Sequence, residues 1–173
     1  MLILVLGGAR SGKSHYAERL ASERGLPVVY IATATEIDNE MKSRIKHHRN
    51  NRPKDWITIE SPLRLTETIE EQSKCRKTVV VDCLTLWLNN QLFQNPTQHF
   101  PDLFTNLADT CKKSEADIIL VANEVGLGII PMGEISRRFV DEAGRLNQTI
   151  ASVADKVFFI VAGMPLTLKD NCR

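Results

Sequence analysis

Eight residues near the start of the chain, Gly7-Gly8-Ala9-Arg10-Ser11-Gly12-Lys13-Ser14, fit the spacing G-x-x-x-x-G-K-[ST]. Glycines at 7, 8 and 12 let the backbone take positive φ and approach a ligand with no Cβ in the way. The loop amides and the free N–H groups of a following helix would converge on one concave spot, with the helix dipole adding positive potential. Lys13 would then reach the β- and γ-phosphates, and the Ser14 hydroxyl would ligate Mg²⁺. The plainer alternative is an ordinary glycine-rich turn between strand and helix. The full motif in its strand–loop–helix context favours a nucleoside triphosphate.

Asp82 closes an apolar run and stands where a Walker B aspartate would hold Mg²⁺ opposite Ser14. Its alternative role is to cap the helix that follows. A second constellation is Arg44-Ile45-Lys46-His47-His48-Arg49, whose plain reading is a solvated basic helix face. On a regular helix, His48 shares a side with Met41 and Ile45, whereas His47 lies with Glu40, Ser43 and Arg44. His47 therefore projects to the polar side and His48 packs. A neutral imidazole among cations is a competent nucleophile toward phosphorus, because nearby positive charge disfavours its protonation and draws in the triphosphate. Asn123 and Glu124, in Asn123-Glu124-Val125-Gly126-Leu127-Gly128, are placed to orient a hydroxyl or a metal-bound water, or else to make a glycine turn. Arg137, Arg138 and Arg145 are candidates for phosphate pairing, with Asp141 and Glu142 near enough to make helix ion pairs instead.

The elements that must position these groups alternate. Strands are expected over 2–6, 28–32, 77–82, 117–122 and 157–161, with shorter ones over 56–59 and 166–168. Helices are expected after Ser14, with Ala17, Leu20 and Ala21 on one stripe, and over 40–49, 63–71, 84–93, from about 101 to 113, and 135–153. The segment 84–93 is apolar on most sides, as befits a helix buried in the core or at a subunit contact. Together they predict an α/β, P-loop NTPase-type three-layer sandwich with a mainly parallel central sheet, in a single domain spanning 1–173. Right-handed crossovers gather the carboxyl ends of the strands at one edge, and with them Gly7, Thr33, Asp82, Asn123, Glu124 and Gly163.

Composition sets the limits. The 173 residues carry 25% charged and 43% hydrophobic side chains and a formal charge of +1, so no basic footprint announces a nucleic acid partner. No apolar run reaches membrane-spanning length, and the first strand leaves no room for a signal peptide. Cys75, Cys83, Cys111 and Cys172 lack metal-site spacing and read as free thiols in a reducing cytoplasm.

The segments GGARSGKS, YIATAT, RIKHHRNNRP, VVVDCLTLWLNN, NEVGLGIIP and DEAGRLNQTIASVADKV closely resemble the bifunctional adenosylcobinamide kinase/adenosylcobinamide-phosphate guanylyltransferases of cobalamin biosynthesis. The likeness runs in order over nearly the whole chain, and the His-His and NEVG segments together make it specific. It implies phosphorylation of adenosylcobinamide by ATP or GTP, then transfer of GMP from GTP, through a histidine, to adenosylcobinamide phosphate. The products are adenosylcobinamide-GDP and pyrophosphate. By position the guanylylated residue is His47, in agreement with the helix-face argument. The phosphate loop falls on Gly7, Gly8, Ala9, Arg10, Ser11, Gly12, Lys13 and Ser14. Further nucleotide contacts fall on Ala34, Thr35, Glu36, His48, Arg49, Asn50, Asn51, Glu60 and Asp82. The resemblance also implies a cytoplasmic homotrimer with sites near subunit contacts, for which the helix over 84–93 is a candidate. Two other readings remain: a P-loop kinase for another small metabolite with His47 merely structural, and a regulatory GTP switch. No N-K-x-D guanine motif occurs in the chain to support the switch.

Overall fold

A computed structural model describes residues 1–35 and 52–171, so the helix expected over 40–49 lies outside the described residues. In chain order the elements are β1 (Leu2–Gly7), α1 (Lys13–Glu23), β2 (Val28–Ala32), β3 (Ile57–Glu60), α2 (Leu65–Gln72), β4 (Thr78–Asp82), α3 (Leu84–Gln94), α4 (Phe100–Lys113), β5 (Asp117–Asn123), α5 (Glu134–Val153), β6 (Lys156–Val161) and β7 (Met164–Asp170).

The seven strands form one sheet in the order β3-β2-β4-β5-β1-β6-β7, parallel throughout except for β7, which runs antiparallel to β6. All six residues of β1 are buried, which is why its sequence is apolar without alternation. The sheet still sorts its side chains by parity. Leu2, Leu4 and Leu6 join a core with α2, α3, α4 and α5, whereas Ile3 and Val5 face α1 through Tyr16, Ala17 and Ala21. Helices on both faces of a parallel sheet make the three-layer sandwich that the alternating pattern predicts.

The apolar helix α3 belongs to this core. Leu84, Trp87, Leu88 and Leu92 are buried, and Phe93 is its exposed exception. Its polar residues are also directed inward, onto loop backbone. Trp87 Nε1 and Gln91 Nε2 both donate to the Leu63 carbonyl, at 3.0 and 2.7 Å. Asn90 Nδ2 donates to the carbonyls of Thr33 and Pro62, at 2.9 and 3.0 Å. One helix thus fixes the segments that follow β2 and β3 at the carboxyl edge of the sheet.

The last strand is longer than its sequence suggests, spanning Met164–Asp170 rather than three residues. Ala162 and Gly163, at φ 51 and 80, form a two-residue turn between the paired Val161 and Met164. Positive φ at both central positions matches the twist of a tight hairpin. At the opposite edge of the sheet, Asp117 accepts from the Met1 ammonium at 3.1 Å and pairs with Arg24. Partial burial works against ionisation of Asp117, but the hydrogen bond from the ammonium and the charge of Arg24 prevail and lower its pKa.

Candidate active site

The eight-residue motif lies between β1 and α1, as its chemistry requires. Gly7 ends the strand and is buried, Gly8 is half-buried, Ala9 and Arg10 are exposed, and Lys13 is buried at the first position of α1. Ser11 N–H donates to the Gly8 carbonyl at 3.2 Å, closing a turn, and Lys13 Nζ reaches back to the same carbonyl at 3.1 Å. Gly12 caps the helix at φ 97 with no side chain bonded to the first amides. Those N–H groups are thus left for an acceptor from outside the helix. Arg10 holds φ 56, a left-handed conformation that costs a non-glycine residue about 1–2 kcal/mol.

The loop is shaped by packing as well as by flexibility. A Cβ on Gly7 would lie 2.5 Å from Ser11 Oγ and 2.8 Å from the Ile160 carbonyl oxygen. A Cβ on Gly12 would lie 3.2 Å from Gly163 Cα, and Gly163 N–H donates to the Ser11 carbonyl at 2.8 Å. The β6–β7 turn therefore buttresses the loop from behind. Sequence places Gly163 at the correct edge, but this contact spans most of the chain and leaves no local signal.

Asp82 ends β4, in register with Ala32 and Val121. It is not a helix cap, since α3 begins after Cys83 with no side-chain cap. Its Oδ2 accepts a 2.8 Å hydrogen bond from the hydroxyl of Tyr30. Burial, and next the Asp82 charge, push the Tyr30 hydroxyl well above the ordinary tyrosine range, so Tyr30 is the donor at neutral pH. Glu18, one helical turn beyond Ser14, also has a raised pKa, from burial and then from the charge of Asp82. The Asp82 charge thus acts on Glu18 of α1, the helix that begins at Lys13.

Among the described residues no three His, Cys, Asp or Glu side chains are grouped to hold a metal ion. Ser14 and Asp82 nonetheless suit Mg²⁺, which is commonly held by one or two protein oxygens together with substrate phosphates and water.

The remaining edge residues separate clearly. Ala34 and Thr35 follow β2, half-buried, and Glu60 ends β3 in register with Ala32. Thr33 exchanges hydrogen bonds with the backbone of Cys83: its Oγ1 accepts from Cys83 N–H at 2.8 Å and donates to the Cys83 carbonyl at 2.7 Å. Burial, followed by the Asp82 charge, pushes the Cys83 thiol up to about 12, so it stays protonated at neutral pH. Asn123 N–H donates to Thr85 Oγ1 at 2.7 Å, and Glu124 N–H donates to the Gly7 carbonyl at 3.0 Å. The Glu124 carboxylate accepts from Gly126 N–H at 2.5 Å, and neither Gly126 nor Gly128 is among the glycines at positive φ, so this turn does not use the special glycine angles expected of it. Arg145 pairs with Glu142 at 2.7 Å. Arg137 donates to the Pro131 and Met132 carbonyls, at 3.2 and 2.6 Å, and Arg138 to the Pro96 carbonyl at 2.7 Å. All three arginines thus make contacts with groups of their own chain.

Glu36, His47, His48, Arg49, Asn50 and Asn51 lie outside the described residues. The chain returns at Arg52, whose guanidinium lies 3.5 Å from the centre of the Tyr30 ring. Tyr30, Arg52 and Glu18 escape the sequence reading. Tyr30 resembles any strand aromatic, and its partners stand 22 and 52 residues further along.

Comparison with known proteins follows the same outline. The sequence model of the family described as cobinamide kinase / cobinamide phosphate guanyltransferase matches residues 3–168. The bifunctional adenosylcobalamin biosynthesis protein CobP of Pseudomonas aeruginosa is 51% identical over 166 residues, which cover 96% of each chain. The bifunctional adenosylcobalamin biosynthesis protein CobU of Escherichia coli is 38% identical over 182 residues, covering 98% of this chain and all of that one (100%). Among solved structures, the flagellar accessory protein FlaH from Methanocaldococcus jannaschii superposes with a TM-score of 0.54 at 16% identity, covering 98% of this chain and 78% of that one. This last likeness concerns the fold alone.

Proposed function

The chain belongs to the cobinamide kinase / cobinamide phosphate guanyltransferase family, and from that premise we propose that both of its reactions draw on one triphosphate cradle. It is a bifunctional enzyme of adenosylcobalamin biosynthesis, a kinase and a guanylyltransferase.

In the kinase step, the proposal places the γ-phosphate of ATP or GTP against the α1 amides and Lys13. The hydroxyl of adenosylcobinamide attacks that phosphorus, and the nucleoside diphosphate leaves. In the second step a nitrogen of His47 attacks the α-phosphorus of GTP, forming the N–P bond as the α–β bridge breaks and pyrophosphate departs. A phosphate oxygen of adenosylcobinamide phosphate then displaces the imidazole, giving adenosylcobinamide-GDP. Ser14 and Asp82 are the residues assigned to hold Mg²⁺, which when bound neutralises charge on the phosphates. The loop amides and Lys13 supply fixed donors that need no reorganisation as charge develops. A covalent histidine divides one difficult transfer into two easier ones.

The observation that carries this reading is the glycine loop between β1 and α1, with Lys13 buried at the first position of the helix and its Nζ turned back to the Gly8 carbonyl. Free thiols at Cys75, Cys83 and Cys111 support the proposed cytoplasmic setting. No helix among the described residues is long and apolar enough to cross a membrane. Leu127, Ile129, Ile130 and Met132 are 81, 96, 78 and 96% exposed on one loop, which supports assembly, proposed as a homotrimer.

The test uses GTP labelled at the α-phosphate. The native protein should retain acid-labile label, and His47→Ala should retain none while still phosphorylating adenosylcobinamide. Label that survives His47→Ala and disappears with His48→Ala would refute the assignment.

A further inference from the structure

Tyr30 is 1% exposed, on a strand whose neighbours Val28, Val29 and Ile31 are aliphatic. A phenol in such a place needs a partner for its hydroxyl. Its partner is Asp82 Oδ2, at 2.8 Å and 52 residues away. The ring itself is held. The Arg52 guanidinium lies 3.5 Å from its centre, and the Trp56 ring lies 6.4 Å away at an interplanar angle of 31°. Tyr30 therefore has little freedom to follow Asp82; Asp82 must follow Tyr30.

We infer that Tyr30 is a positioning residue for the metal-binding step, fixing one oxygen of Asp82 so that the other is presented toward the Ser14 side of α1. The inference rests on the assignment of Asp82 to Mg²⁺ made above. A carboxylate at the end of a strand turns readily about its last bond. Here Glu18 lies close by, so an unrestrained Asp82 meets a second negative group on the same face. A donor locked at Oδ2 removes that freedom, and the ring contact with Arg52 keeps the donor in place. Partners of this kind, one shell outside the metal, commonly change metal affinity or activity by about 10–100-fold when removed.

Tyr30→Phe deletes the hydroxyl and keeps the ring. The full chain is compared with Tyr30→Phe and Asp82→Asn in the complex with a non-hydrolysable GTP analogue, and Mn²⁺ binding is followed by electron paramagnetic resonance. Nucleotide affinity in EDTA and the melting curve are recorded alongside. Tyr30→Phe should weaken Mn²⁺ binding by about 10-fold, with affinity in EDTA unchanged, and Asp82→Asn should weaken it further. A shift with Asp82→Asn and none with Tyr30→Phe would overturn the positioning role and leave Asp82 as the metal ligand. No shift in either would remove the metal assignment, and the inference with it. A shift with Tyr30→Phe alone would show that Tyr30 acts by another route, and would also overturn the inference. Should Tyr30→Phe fail to fold, 4-fluorophenylalanine at position 30 fills the space of the hydroxyl without a donor. Mn²⁺ binding weaker by about 10-fold is then expected, and unchanged binding counts against the role.

Discussion

Gly12→Ala tests whether the phosphate loop is braced by the last hairpin or merely flexible. Three glycines have positive φ and differ in surroundings: Gly12 at 97, Gly25 at 62 and Gly163 at 80. An added Cβ meets nothing within 4 Å at Gly25 or Gly163, but lies 3.2 Å from Gly163 Cα at Gly12. Left-handed backbone costs alanine about 1–2 kcal/mol, and a stiffer unfolded chain returns about 0.4–1, so Gly25→Ala should cost about 1 kcal/mol. Gly163→Ala should cost about the same on the same reasoning. At Gly12 the neighbour is backbone, pinned by the hydrogen bond from Gly163 N–H to the Ser11 carbonyl, so it cannot swing aside as a side chain would. Overpacking of that kind adds about 1–3 kcal/mol, for a total of about 2–4. For a chain of this size, 1 kcal/mol moves Tm by about 2–4 °C, so Gly12→Ala should melt roughly 4–16 °C lower. Urea unfolding followed by tryptophan fluorescence measures the loss, since Trp87 is fully buried. Equal losses for Gly12→Ala and Gly163→Ala would refute the bracing argument. Nucleotide titration should also show Gly12→Ala weakened far more than Gly25→Ala, because Gly12 begins the helix proposed to hold the phosphates and Gly25 follows its far end.

Three further outcomes concern a buried hydrogen bond and the thiols. Thr85→Val keeps the shape of the side chain but leaves Asn123 N–H without its acceptor, so it should cost about 1–3 kcal/mol in urea unfolding; Thr85→Ser should be near neutral, and equal losses for the two would refute the hydrogen bond's role. Burial pushes the Cys83 and Cys111 thiols up to about 12, Cys83 with added help from Asp82, well above the ordinary thiol range. The unfolded chain therefore releases these protons first, and stability should be fully present below about pH 9 and fall progressively toward pH 12. Chemical denaturation across that range checks the slope, and Cys83→Ser with Cys111→Ala should flatten it. In the folded protein, a thiol reagent at neutral pH should modify exposed Cys75 and spare Cys83 and Cys111 until denaturant is added.

What the amino-acid order settled by itself was local or periodic. The apolar run of β1, the glycine spacing and the helix after it are contiguous, so the phosphate loop is written in one short stretch. The alternation of strands and helices likewise foretells the layered sheet, because burial on both faces leaves strands that are apolar without a break. The order of strands in space, the partner of each polar side chain and the support behind the loop depend on contacts between distant residues. Tyr30 meets Asp82 because β2 lies beside β4, and Gly163 braces Ser11 because β6 lies beside β1. The segment over 84–93 shows the same division. Its apolar character predicts burial, but only the packed structure shows that Asn90 and Gln91 are turned inward to hold loop carbonyls. Residue types carry propensity and hydrophobicity along the chain. Which donor finds which acceptor is fixed when the sheet assembles, and no periodicity in the sequence encodes that pairing.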